Sequence, residues 1–139
     1  MIEGLRLASD FTILASQPAA TPEQLLTLAN YFGSVPSEYT SLVGTATDLE
    51  LQHCGGQYLR IWGPMGCIDM DEGYGIRLRI PDAVPIGDDG GGRVIFYTQG
   101  SRGYGLYHVG YGNLDRGDAV WIAPHLNEFL MTANGIETF

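Results

Sequence analysis

The chain of 139 residues carries 16 acidic against 7 basic side chains, a formal net charge of -9. That balance opposes binding to nucleic-acid backbones and anionic membranes and favours a positively charged protein partner, although an acidic surface also serves solubility alone. A hydrophobic content of 45% supplies one proper core, so a single domain over residues 1–139 is expected. No apolar run is long enough to span a bilayer, and Met1-Ile2-Glu3-Gly4-Leu5-Arg6 lacks the basic and apolar regions of a secretory signal. A soluble cytoplasmic protein with no membrane partner is the expectation.

Leu5-Arg6-Leu7 and Phe11-Thr12-Ile13-Leu14 read as a short N-terminal strand or hairpin within an N-terminal extension, residues 1–20. Thr21-Pro22-Glu23-Gln24 then has the pattern of a capping box with proline in the first turn. Leu25, Leu28, Ala29 and Phe32 share a face and Gly33 follows, which predicts a helix over 22–32. A second, short helix starts near Pro36, with Tyr39, Leu42 and Val43 on one side, and ends before Gly44.

Leu49 and Leu51 alternate with polar neighbours, as do Tyr58, Arg60 and Trp62 with Leu59 and Ile61. With Gly55-Gly56 between them, these runs predict two antiparallel strands. Residues 66–75 place Asp69, Asp71 and Glu72 close together, but glycine arrives one position too early for a standard calcium loop. An exposed loop or short helix is expected there.

Pro85-Ile86-Gly87-Asp88-Asp89-Gly90-Gly91-Gly92 reads as an acidic turn feeding the strand Arg93-Val94-Ile95-Phe96-Tyr97. A phosphate cradle would add a lysine and a helix after the glycines, whereas this chain has no lysine and continues as a strand. Asp88 and Asp89 supply only two adjacent carboxylates, so a structural turn is preferred to a calcium site. Leu106–Val109 and Ala119–Ile122 read as further strands, making a meander instead of alternating β-α units. Gly-Tyr-Gly recurs at 73–75, 103–105 and 110–112 with uneven spacing, which is turn chemistry and not a repeat. A terminal helix from Pro124, with Leu126, Phe129, Leu130 and Ala133 as its apolar stripe, is expected to stop at Asn134-Gly135 and to pack on the sheet.

Cys54 and Cys67 have no C-x-x-C spacing and read as reduced thiols; His53, His108 and His125 form no metal-ligand motif. The serines lie in no G-x-S-x-G elbow, so neither catalysis nor a cofactor or metal is expected. Ligand clusters assembled only by the fold stay open. Asp69, Asp71, Glu72, Asp88 and Asp89 are candidate partner contacts, able to pair with Arg or Lys of a basic protein. Tyr74, Tyr104 and Tyr111 are candidate aromatic anchors, with turn packing as the competing role.

The order of these signals resembles the SUKH superfamily, which contains bacterial immunity proteins and yeast regulators of cell-wall synthesis. The resemblance rests on Val35-Pro36-Ser37-Glu38-Tyr39-Thr40-Ser41-Leu42-Val43 as the proline-led helix and on the turn from Pro85 to Gly92. Trp121-Ile122-Ala123-Pro124-His125-Leu126-Asn127-Glu128-Phe129-Leu130 is similar to the family's last strand and helix, and the likeness spans most of 21–133. Gly44-Thr45 departs from the Asn-Gly pair of many members. The resemblance implies a SUKH-like α+β fold, a mainly antiparallel or mixed twisted sheet packed by N-terminal and C-terminal helices. It further implies neutralisation of a secreted toxin, of nuclease or deaminase type, by direct binding. The alternatives are an intracellular regulatory adaptor without a toxin partner and a small metal-dependent hydrolase using the acidic loops.

Overall fold

A capping box starts the first helix, as its residues predict. Thr21 Oγ1 accepts from the Gln24 N–H at 3.1 Å and Gln24 Oε1 accepts from the Thr21 N–H at 3.0 Å. The resulting helix α1 (Pro22–Phe32) has the expected bounds and ends at Gly33, whose φ of 80° suits glycine. Helix α2 (Ser37–Val43) follows Pro36 and is closed by Gly44. A computed structural model describes residues 4–139, so the first three positions of the expected 1–20 extension lie outside the described residues.

Among the described residues, seven strands form one open sheet whose spatial order is the chain order. They are β1 (Phe11–Gln17), β2 (Thr47–His53), β3 (Tyr58–Ile61), β4 (Val84–Asp88), β5 (Arg93–Gly100), β6 (Gly103–Gly110) and β7 (Val120–Ala123). Every pairing is antiparallel, so the mixed-sheet alternative falls and the meander stands. With α3 (Pro64–Tyr74), α4 (Ile76–Arg79) and α5 (Leu126–Thr132), the chain is a single α+β domain with five helices among the described residues. None of these helices is long and apolar enough to cross a membrane.

Three local expectations are corrected and two are made definite. Leu5-Arg6-Leu7 makes no strand, because the segment turns toward α5, where the Ala8 N–H donates to the Leu130 carbonyl at 2.7 Å. The strand expected at Phe11–Leu14 is found, extends to Gln17 and forms an edge of the sheet, with register shifts near Ala15. Of the loop or short helix expected at 66–75 the helix is found: these residues belong to an 11-residue helix that starts at Pro64, buries Cys67, Ile68 and Asp71, and stops at Gly75 with φ 63°. Pro85–Asp88 is not turn but the wholly buried strand β4, where a side chain at Gly87 would press into the Arg60 carbonyl of β3. Helix α5 begins at Leu126 and ends on Ala133, which takes the left-handed conformation expected of the following Asn-Gly pair.

The central strands bury successive residues, Val94–Thr98 on β5 and Gly105–Val109 on β6, so both faces of the sheet are covered there. On one face Tyr97 reaches α2 through Glu38, and His108 packs on Phe139 with ring centroids 4.4 Å apart. On the other, Phe96 and Tyr107 pair in register and Trp121 meets Tyr107 edge-on at 5.3 Å. Helix α3 packs between α1 and β4. This places the end of α3 beside the β4–β5 turn and the segment after β6.

Candidate functional site

The β4–β5 turn is built by its own carboxylates. Asp88 Oδ1 accepts from the Gly90 N–H at 2.8 Å, and Asp89 Oδ1 accepts from the Gly91 and Arg93 N–H groups at 2.8 and 3.0 Å. Gly90 and Gly92 supply the positive φ values, 70° and 97°, that the reversal needs. The second Asp88 oxygen accepts from Trp62 Nε1 at 2.7 Å and from Arg60 Nη2 at 3.1 Å. Both aspartates are buried. Both oxygens of Asp88 and one of Asp89 are therefore occupied by donors of the same chain, which is the work of a structural turn.

Against this turn lies a shallow hollow of about 280 Å³ lined by Arg60, Met70, Tyr74, Asp88, Gly90, Gly92 and Tyr111. Tyr74 is the last residue of α3 and is 51% exposed, and Tyr111 opens the 3-10 turn after β6. Their rings stack, with centroids 4.1 Å apart and planes 25° off parallel. Tyr111 Oη is buried without a hydrogen-bond partner, the one such side-chain atom among the described residues. Burial, with the negative Asp88 nearby, pushes the Tyr111 phenol well above its usual range and keeps it protonated. An aromatic stack, a methionine and an arginine thus surround a floor of glycine backbone.

Three of the eight candidate residues, Tyr74, Asp88 and Tyr111, converge on this hollow, with Asp89 next to it inside the turn. The others are elsewhere. Asp71 is buried, accepting from the Tyr31 hydroxyl at 2.6 Å and from the Arg77 N–H at 2.9 Å. Burial and this bond push the Tyr31 phenol up to about 12. Glu72 is exposed and shares a second hollow with Tyr31, Asp71, Arg77 and Leu78, and Asp69 is exposed on α3. Tyr104 lies on a third hollow with Pro36, Glu38, Tyr97 and His125, its ring 6.1 Å from that of Tyr97 and almost parallel to it.

Arg60 and Met70 are not among the residues that the sequence singles out. The signal for Arg60 is the alternation of Tyr58, Arg60 and Trp62, which puts Tyr58 and Arg60 on one face of β3 with Trp62 following at its end, where a buried aspartate needs donors. Met70 carried no comparable signal, because its place beside Tyr74 follows from the length of α3. Comparison with protein-family models gives no match for this chain, and comparison with curated proteins gives none either.

Proposed function

We propose that this protein is a non-catalytic, SUKH-like immunity protein that neutralises a cognate basic toxin domain by direct binding. The observation that carries the reading is the stacked Tyr74–Tyr111 pair, open beside Arg60 and Met70 on the hollow at the β4–β5 turn. Tyrosine, arginine and methionine are the residue types enriched where protein interfaces concentrate their energy, and stacked rings lose little conformational entropy on binding. Exposed acids elsewhere on α3 and the negative net charge suit a basic partner. Asp69 and Glu72 are exposed on the same helix as Tyr74, within a chain of net charge -9. A partner arginine laid on the exposed Tyr74 face would gain a cation–π contact, and the surrounding negative charge would speed encounter. Asp88 and Asp89 contribute by shaping the turn. The order of a proline-led short helix, a meander and a last strand-helix pair also supports the SUKH-like assignment.

The test is co-expression with the product of the reading frame beside the native gene. Binding together with rescue of growth supports the reading, and Tyr74→Ala then weakens binding by about 10-fold or more while leaving the fold intact. Absence of both binding and rescue rules out that pairing. Tyr104→Ala, on a different hollow, serves as the comparison and leaves affinity within about 3-fold of the parent.

A further inference from the structure

Apart from the aromatic hollow, strand pairing at the sheet edge brings together three chemically different donors. Asp10 precedes β1, His53 ends β2, and Cys54 opens the turn to β3. One carboxylate oxygen, one imidazole nitrogen and one thiol sulfur lie within 4.8 Å of one another. The register pairs Phe11 with His53, and the Cys54 N–H donates to the Asp10 carbonyl at 2.9 Å, so the backbone locks the three positions together. The Phe11 ring meets the His53 ring edge-on at 5.4 Å and holds its orientation.

How the three groups face one another distinguishes two chemistries. In a Cys-His-Asp relay the imidazole would use opposite nitrogens, one for the thiol and one for the carboxylate. Here both Cys54 Sγ and Asp10 Oδ2 stand 3.8 Å from the same atom, His53 Nε2. That is too long for strong hydrogen bonds. It is close to the edges of a tetrahedron around zinc, about 3.3–3.6 Å for ordinary Zn–N, Zn–S and Zn–O lengths. The two edges from Nε2 need to shorten by only a few tenths of an ångström, and the third, from Cys54 Sγ to an Asp10 oxygen at no more than 4.8 Å, closes by rotation of side chains that solvent can reach: Asp10 and Cys54 are exposed and His53 is partly so.

We propose that Asp10, His53 and Cys54 form a zinc-binding site at the β1–β2 edge, with three protein ligands and a fourth position open to water. The donor set of sulfur, imidazole nitrogen and carboxylate oxygen matches zinc better than magnesium or calcium, which take oxygen ligands. On binding, the Cys54 thiol gives its proton to the buffer as the Zn–S bond forms, so affinity rises with pH. The second cysteine takes no part. Cys67 is buried, sits 3.0 Å from the Tyr39 hydroxyl, and its thiol is pushed up to about 12 by burial.

The full chain, freed of metal with a chelator, is titrated with cobalt(II) and then with zinc. One equivalent binds, a thiolate-to-cobalt charge-transfer band rises in the near ultraviolet, and zinc bleaches it. Cys54→Ser removes the band while Cys67 is still present, and His53→Ala and Asp10→Asn each weaken zinc by at least about 10-fold, a loss of at least the size seen for disturbed metal shells. Circular dichroism checks that each variant is folded. Asp10→Asn, on an exposed residue before the strand, keeps the test alive should a substitution in the turn disturb folding. The proposal is overturned by a band that survives Cys54→Ser, by zinc affinity unchanged in both His53→Ala and Asp10→Asn, or by the lack of one-equivalent binding in the parent chain.

Discussion

Glu38 caps a helix that begins 88 residues further along the chain, accepting the Leu126 N–H at 2.7 Å. The same carboxylate accepts from the Asn127 N–H at 3.1 Å and from the Tyr97 hydroxyl at 2.8 Å. Helix α5 has no side-chain cap of its own, so α2 supplies the acceptor its first turn lacks. One carboxylate thereby joins α2, β5 and α5. Glu38→Ala is expected to cost about 2–3 kcal/mol, since it exposes two helix N–H groups and strands a buried phenol. Glu38→Gln retains acceptor capacity and costs about 1 kcal/mol. Urea denaturation of both variants measures the difference.

Asp88 bears on stability through its donors more than through its ion pair. Arg60 in that pair is 42% exposed, so solvent screens it and its share is small. The buried Trp62 Nε1 has no such escape when Asp88→Ala removes its acceptor, and the same change takes away the acceptor that holds the Gly90 N–H in the exposed turn. A loss of about 3 kcal/mol is expected. Arg60→Gln should cost under about 1 kcal/mol. The contrast between the two variants in chemical denaturation checks the assignment; equal losses would show that the ion pair dominates.

His108 makes stability depend on pH. Its Nε2 lies 3.1 Å from the Thr138 carbonyl, which can only accept, so Nε2 carries the proton of the neutral ring. Burial lowers its pKa, the Thr138 bond partly opposes this, and Arg93 adds to the lowering. A folded-state value below the unfolded one means the unfolded chain binds the proton more tightly. The contribution is therefore complete above the unfolded value of about 6.5 and is lost as pH falls from there through the folded value. Thermal melts between pH 7.5 and 5 should show this loss in the parent and a flatter profile in His108→Gln, within about that range.

Tyr111→Phe removes a buried hydroxyl that has no partner while keeping the ring on Tyr74. Stability is expected to stay level or rise by up to about 1 kcal/mol. Tyr111→Ala, which also deletes the stack, is expected to lose about 2 kcal/mol or more. A marked loss in the phenylalanine variant would mean that the hydroxyl is bonded in solution.

What the sequence made legible follows the range of the interactions. Helix α1 was readable to the residue because Thr21, Pro22, Gln24 and Gly33 carry its start and stop within the element. The α5 start was misplaced because its cap comes from Glu38, far away in sequence. Pro85–Asp88 looks like a turn from composition, yet Gly87 is there so that β4 can approach the Arg60 backbone. At the candidate site, aromatic and acidic residue types could be picked out singly, but the meeting of Tyr74 with Tyr111 depends on where α3 ends relative to β6. Likewise Asp10, His53 and Cys54 share no sequence motif and are joined by strand register.

A sheet whose spatial order repeats its chain order also sets how the molecule is assembled in time. Each strand finds its partner next along the chain, so most of the closure cost falls on two excursions, the α1–α2 segment between β1 and β2 and the α3–α4 segment between β3 and β4. The β5–β6 ribbon pairs over eight residues across a short turn and is the natural nucleus. Chain inserted into either helical excursion should slow folding, whereas each doubling of such a loop lowers equilibrium stability by only about 0.6 kcal/mol. The pairing that spans the longest excursion, β1 on β2, is the one that brings Asp10 to His53 and Cys54.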